Sequence, residues 1–267
     1  MSQAEKARGV TRRQALSGMA GLAGLAALAV PRRARAFGDE GAWNPRVLLT
    51  GNARWEGVRT SAPARWSAEL QIRTSAPARQ SPGTVRADEP ALLAEPFALW
   101  GGDADTAPLT EREVGGLRRF IALGGVLLVD DFAPGAPDGL AFTRAAKREI
   151  RRVIPEGSPI PIGQENVVFK SFYLIRRAVG RIEGPPRLEA IVRGGIPQVI
   201  FSAHDLTGAL ARGASGTHPL QVTPGGEPQR ERAVRLAVNI AMYVLCSTYK
   251  DDLVHESFLK RRRTVEP

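Results

Sequence analysis

The sequence predicts an α/β protein built on a mostly parallel β-sheet covered on both faces. Three observations carry this. Short apolar runs such as Val126-Leu-Leu-Val129 lack polar alternation, as strands buried on both faces do. Segments with helical periodicity stand between these runs, which is the order of parallel α/β folds. The chain has 267 residues, 43% hydrophobic and 24% charged, so a sizeable core can be buried and disorder over most of its length is excluded.

The elements follow in order. Arg46–Thr50 reads as a buried strand that ends in Gly51-Asn52. The heptapeptide Arg59-Thr-Ser-Ala-Pro-Ala-Arg65 recurs as Arg73–Arg79, and two copies are too few for a solenoid. The first copy reads as a helix start, with Ser61 as cap, Pro63 in the first turn, and Trp66 and Leu70 on one face. The second opens a Pro/Gly/Ser-rich loop to Gly83. Pro96–Trp100 is the next strand, leaving through Gly101-Gly102-Asp103. Thr110 and Glu113 form a capping box for a helix with Val114, Leu117, Phe120 and Ile121 on one side, ended by Gly124-Gly125. Val126–Val129 runs into Asp130-Asp131. Thr143–Val153 is a helix with Ala146, Ile150 and Val153 inward. Pro155–Gly163 is expected to be irregular, and Val167–Ile175 β-prone. Leu188–Val192 and Gln198–Ser202 flank Gly194-Gly195 as two strands around a tight turn, which supplies an antiparallel edge. Residues 208–228 are Gly/Pro-rich, and a helix covers about Glu231–Ser247, with Cys246 in its core-facing end.

The first 36 residues read as an address. Arg12-Arg13 precedes a Gly/Ala/Leu run from Leu16 to Val30, and Ala34-Arg35-Ala36 has the spacing of a cleavage site. The paired arginines resemble a twin-arginine export signal. The expectation is cleavage after Ala36 and a periplasmic or extracellular protein, the alternative being an N-terminal membrane anchor. Residues 37–263 then form a single α/β domain with a tail at 264–267, and no span of membrane-crossing length remains.

The formal net charge is +10, but it is uneven. Removing the 7 basic and 1 acidic residues of positions 1–36 from 37 and 27 leaves 30 against 26, a net +4, and Lys260-Arg-Arg-Arg263 accounts for that remainder. The body carries no broad basic stripe for a phosphate backbone, so nucleic-acid binding is excluded as a leading class. One Cys rules out an intrachain disulfide, and three His argue against a His-rich metal site.

Leu117–Asp131, Lys147–Pro155, Phe169-Lys-Ser-Phe-Tyr173, Val238–Leu245 and Tyr249–His255 together resemble the bacterial family called domain of unknown function 4159. The resemblance covers about residues 45–263. That family is similar in fold to class I glutamine amidotransferase and trehalose-utilisation-type domains, which implies a flavodoxin-like three-layer sandwich and no particular activity. The glutaminase nucleophile of such amidotransferases is a Cys on a strand-to-helix turn. The comparable strand end here carries Asp130-Asp131, so thiol-based amide hydrolysis is not expected.

In open parallel sheets, ligands bind beyond the carboxyl ends of the strands. Four strand exits are polar: Asn52 with Arg54 and Trp55; Gly102-Asp103; Asp130-Asp131; and His204-Asp205. Converged, they would offer carboxylates, an imidazole and a guanidinium, an inventory that suits a divalent cation or a polyhydroxy ligand. Crowded carboxylates also suit acid–base chemistry. The plainer reading is that each Asp caps a helix or fixes a turn. Adjacent residues of a strand point opposite ways, so at most one of Asp130 and Asp131 faces a pocket. Trp43, Trp55 and Trp66 could line a sugar platform, with Trp66 better placed for the core, and His218 and His255 lie in polar segments. No nucleophile elbow, phosphate loop or dinucleotide fingerprint is present, so no cofactor is identified.

Three functional readings follow. The first is an exported domain that binds a small polar ligand or an envelope protein. The second is a metal-assisted or acid–base hydrolase of a carbohydrate-like substrate, using Asp130 or Asp131 with His204 and Asp205. The third is a structural module of an envelope assembly. Convergence of the strand exits separates the first two from the third.

Overall fold

A computed structural model describes the backbone of residues 41–263 and the side chains through Ser247. The expected export signal at 1–36, the tail at 264–267, and the side chains of His255 and Lys260–Arg263 lie outside the described residues.

The strands are β1 (Arg46–Leu49), β2 (Thr84–Arg86), β3 (Phe97–Gly102), β4 (Val126–Asp131), β5 (Ile160–Ile162), β6 (Leu188–Arg193) and β7 (Ile196–Ser202). The helices are α1 (Ala62–Thr74), α2 (Glu111–Ala122), α3 (Ala141–Val153), α4 (Leu206–Leu210) and α5 (Gly226–Arg263). One seven-stranded sheet runs β2-β1-β3-β4-β7-β6-β5. Its first five strands are parallel, and β6 and β5 form the antiparallel edge. The parallel strands keep the 2-1-3-4-5 order of flavodoxin-type doubly wound sheets, with β7 in fifth place.

Successive strand residues point to opposite faces, and both faces are packed. Val47, Phe97, Leu99, Val126 and Leu128 meet α1, α4 and α5 through Trp66, Leu70, Leu210 and Ile240. Leu48, Ala98, Trp100, Leu127 and Val129 meet α2 and α3 through Leu117, Phe120 and Ile150. Two separate cores on one sheet make a three-layer sandwich, and they are why Val47–Leu49, Phe97–Trp100 and Val126–Val129 are apolar at successive positions.

Local signals work as expected at several places. Thr110 Oγ1 accepts from the Glu113 amide at 3.3 Å, and Glu113 Oε2 accepts from the Thr110 amide at 2.8 Å. Gly194 and Gly195 sit at φ +57° and +82°, the left-handed pair that a two-residue hairpin turn needs.

Other expectations are corrected. Ser61 does not cap α1: its hydroxyl donates to the Val58 carbonyl and accepts from the Arg212 amide. Pro155–Gly163 contains β5, an edge strand where Pro161 is tolerated because no inner neighbour needs its missing N–H. Val167–Ile175 is not a strand but a 3-10 turn at Val167–Phe169 followed by a loop, set by Asn166 Oδ1 accepting from the Val168 amide at 3.0 Å. The last helix is longer than its apolar stripe, and Cys246 is exposed, not core. Trp43 belongs to the core, with ring centroids 5.2 Å from Trp66 and 4.5 Å from Phe97.

Candidate functional site

The chain leaves β1 toward α1 on one face and leaves β3 toward α2 on the other. These neighbouring exits diverge and leave a crevice at the point where the strand order reverses. A cavity of about 460 Å³ occupies it. Asn52, Arg54 and Trp55 line it from β1, and Gly102 and Asp103 from β3. The structure therefore brings the five ligand-binding candidates around one space. Arg59, Asp105, Phe132 and Phe142 complete the wall.

The glycines are required by close approach. A Cβ on Gly101 would stand 2.2 Å from Phe132 Cζ, and one on Gly102 would stand 2.5 Å from Phe142 Cδ2. Two aromatic rings thus rest on bare backbone. Trp55 packs 5.8 Å from Phe132, centroid to centroid. Asn52 Oδ1 accepts from the Ala107 amide at 3.0 Å and ties the two exits together. The wall mixes aromatic faces with the cations Arg54 and Arg59 and the anions Glu56, Asp103 and Asp105.

Asp130 and Asp131 point to opposite sides of the sheet, and neither borders the cavity. Asp130 is fully buried and accepts from the amides of Leu206 and Thr207 and the Thr207 hydroxyl, at 3.0, 2.9 and 2.8 Å. Burial pushes its carboxyl up to about 7, with the Asp205 charge acting the same way against the pull of those donors. Asp131 accepts from the Ala133 amide, and from the amide and hydroxyl of Thr143 at the start of α3.

Asp205 opens α4 from a left-handed φ of +53° and accepts from the Gly208 amide at 2.9 Å. Its other oxygen meets Arg59 at 2.6 Å and is also paired with Arg181. Both arginines reach on to the Phe132 carbonyl, at 3.4 Å each. The Arg59 guanidinium also lies 4.7 Å over the Phe132 ring. Asp205 therefore supports the cavity wall from behind, through Arg59 and Phe132. Sequence reasoning missed Arg59, Arg181, Phe132 and Phe142. Arg59 opens the repeated heptapeptide, but nothing local marks it as Asp205's partner 146 residues away.

His204 is buried, and neither ring nitrogen reaches a partner in good hydrogen-bond geometry, although the Ile182 and Pro185 carbonyls lie near the ring. A Cβ on Gly184 would lie 2.9 Å from its Cε1 and Nδ1, so the Gly180–Gly184 segment closes directly over the ring. Burial brings its pKa down to about 4, and Arg177 adds to this against the carbonyls of Ile182 and Pro185. His204 and Asp205, though adjacent, do different things: one is sealed and neutral, the other clamps two cations. His218 lines a separate pocket of about 200 Å³ among Arg212, Glu227 and Arg230. Among the described residues, no three His, Cys, Asp or Glu side chains lie close enough to hold a metal ion. No described helix is long and apolar enough to cross a membrane.

The chain belongs to the family described as domain of unknown function 4159, which matches residues 46–245. No curated protein matches it.

Proposed function

We propose that this member of the family is a binding module of the cell envelope that holds a small polar, ring-bearing ligand of carbohydrate type in the β1/β3 crevice. The observation that carries the reading is the cavity itself, set where the strand order reverses and bordered by an indole, two phenyl rings and opposed charges. A sugar presents an apolar ring face to an aromatic side chain and hydroxyls to carboxylate, amide and guanidinium groups, and the wall offers each of these. Catalysis is the weaker reading. Asp130 and Asp131 are occupied by backbone and threonine donors, and Asp205 by arginines, which leaves them no free geometry toward the cavity. Export of the mature chain from Phe37 belongs to the same proposal and rests on residues 1–36.

The test is a calorimetric titration of neutral and acidic mono- and disaccharides into the protein, with Trp55→Ala and Asp103→Asn as controls. Asp103 is exposed, so its variant should fold as the parent does, while Trp55 also packs partly on the core, so its fold is checked by circular dichroism; both should lose most of the binding heat. Heat that survives both variants, or none with any saccharide, would sink the reading. The structural-module alternative would then stand.

A further inference from the structure

The loop between the Val167–Phe169 turn and β6 presents apolar side chains to solvent. Val167, Phe172 and Leu174 are 45%, 44% and 89% exposed. Exposed apolar side chains scattered singly need no explanation, but these three stand within eight residues of one another. The loop is also held firmly. Asn239, fully buried on α5, accepts from the Tyr173 amide at 2.7 Å and donates to the Tyr173 carbonyl at 2.8 Å. The Ile175 amide closes the loop onto the Phe169 carbonyl at 2.8 Å. The Tyr173 ring points back, with Arg235 stacked 5.2 Å from its centroid. Fixing Tyr173 inward turns Leu174 outward, while Phe172 lies edge-on to the Tyr173 ring, centroids 4.9 Å apart, and still presents part of its own ring to solvent. A buried amide that satisfies both backbone groups of one loop residue prepays the ordering of that loop.

The charges beside the ridge indicate what it meets. Lys170 and Arg176 are exposed and form no ion pair among the described residues. Arg177 is paired with Glu183 at 2.7 Å, and Glu165, which feels the Lys170 charge, faces Arg187 at 3.9 Å. Apolar tips flanked by exposed cations that form no direct ion pair among the described residues complement a surface that is anionic outside and hydrocarbon beneath. Each apolar side chain inserted into a bilayer contributes on its own, so a few exposed tips suffice for such a contact.

We propose that the Val167–Leu174 ridge is a membrane-surface contact that inserts Phe172 and Leu174 into an anionic lipid leaflet. The site is separate from the β1/β3 crevice and stands whether or not that crevice binds a sugar. It is tested by flotation of the full chain with vesicles of phosphatidylglycerol and phosphatidylcholine, against vesicles of phosphatidylcholine alone. The parent should partition preferentially to the anionic vesicles. Phe172→Ser with Leu174→Ser should lower that partition at least tenfold, since about 1.4 kcal/mol of lost burial is a factor of ten. Lys170→Ala with Arg176→Ala should lower it about tenfold on anionic vesicles and leave the phosphatidylcholine value unchanged. The alanine pair removes no packed side chain, so it keeps the test valid if the serine pair fails to fold. The terminal segments are common to parent and variants, so the readout is the change between them on the same vesicles. Partition unchanged by both pairs, or equal on both lipids, overturns the proposal. So does a parent that binds neither, which would leave the ridge to a protein partner.

Discussion

The carboxyl edge of the sheet is open at one place and sealed at another. Between β1 and β3 the following helices part to opposite faces, and polar side chains border a cavity. Beyond β4 and β7 the same kinds of residue are consumed internally. Asp130 is taken up by α4, Asp131 by α3, and Asp205 by two arginines, while His204 is covered by a glycine-containing strap. Residue type does not separate the two regions. The divergence of the backbone does: where helices return to the same neighbourhood, their unpaired amides find the carboxylates first.

The comparison breaks most sharply at Asp205. Asp205→Ala removes a helix cap and leaves Arg59 and Arg181 without their carboxylate, which should cost roughly 3–5 kcal/mol. The range's lower end is favoured by the 20% exposure both arginine side chains retain. Asp103→Ala, at the open edge, should fall within about 0.5 kcal/mol of the parent. Urea denaturation of the pair measures both, and equal losses would mean that the two regions do not differ as described.

A second distinction lies in pH. His204 has its pKa lowered from 6.5 to about 4, so the folded state favours the neutral ring. Its contribution is complete above about pH 6.5 and is lost as pH falls toward 4, a difference of about 3 kcal/mol. Asp130 runs the other way. Its carboxyl is raised from 3.8 to about 7, so the stability of the protonated form is complete below 3.8 and is lost as pH rises through 7. The two slopes oppose each other between about pH 4 and 6.5. His204→Gln should leave stability falling as pH rises across that window, and Asp130→Asn should leave it rising. Thermal midpoints from pH 4 to 7.5 read the slopes, whatever the variants do to the absolute level. Identical profiles for the two variants would contradict the assignment.

A further substitution sharpens the open side. Gly101→Ala places a methyl against the Phe132 ring, an overpacking of about 1–3 kcal/mol. The ring can move only by altering the cavity wall, so saccharide binding should weaken more than stability does. A variant with parental affinity would show that Phe132 is not part of the binding surface.

Much of the fold was legible. The doubly apolar strands, the Thr110–Glu113 box and the Gly194-Gly195 turn are local signals, and their physics is complete within a few residues. β5 was not legible, because a three-residue edge strand with a central proline is specified by its partner β6 and not by its own pattern. Ser61 looked like a cap but bonds the Val58 carbonyl and the Arg212 amide, the latter a partner 151 residues away. Of the site, Asn52, Arg54, Trp55, Gly102 and Asp103 were readable as polar strand exits. Arg59 and Phe132 were not, because their roles exist only once β4 has joined the sheet beside β3 and α4 has brought Asp205 to Arg59.

By itself the sequence determined the layered architecture, since burial on both faces makes the middle of a central strand apolar at successive positions and periodicity then dictates where helices fall. It also determined the polar character of every strand exit. The tertiary structure alone decided which exits stayed open. That choice depends on which amides, arginines and glycines arrive from tens to more than a hundred residues away, and buried carboxylates take whichever donors come within about 3 Å.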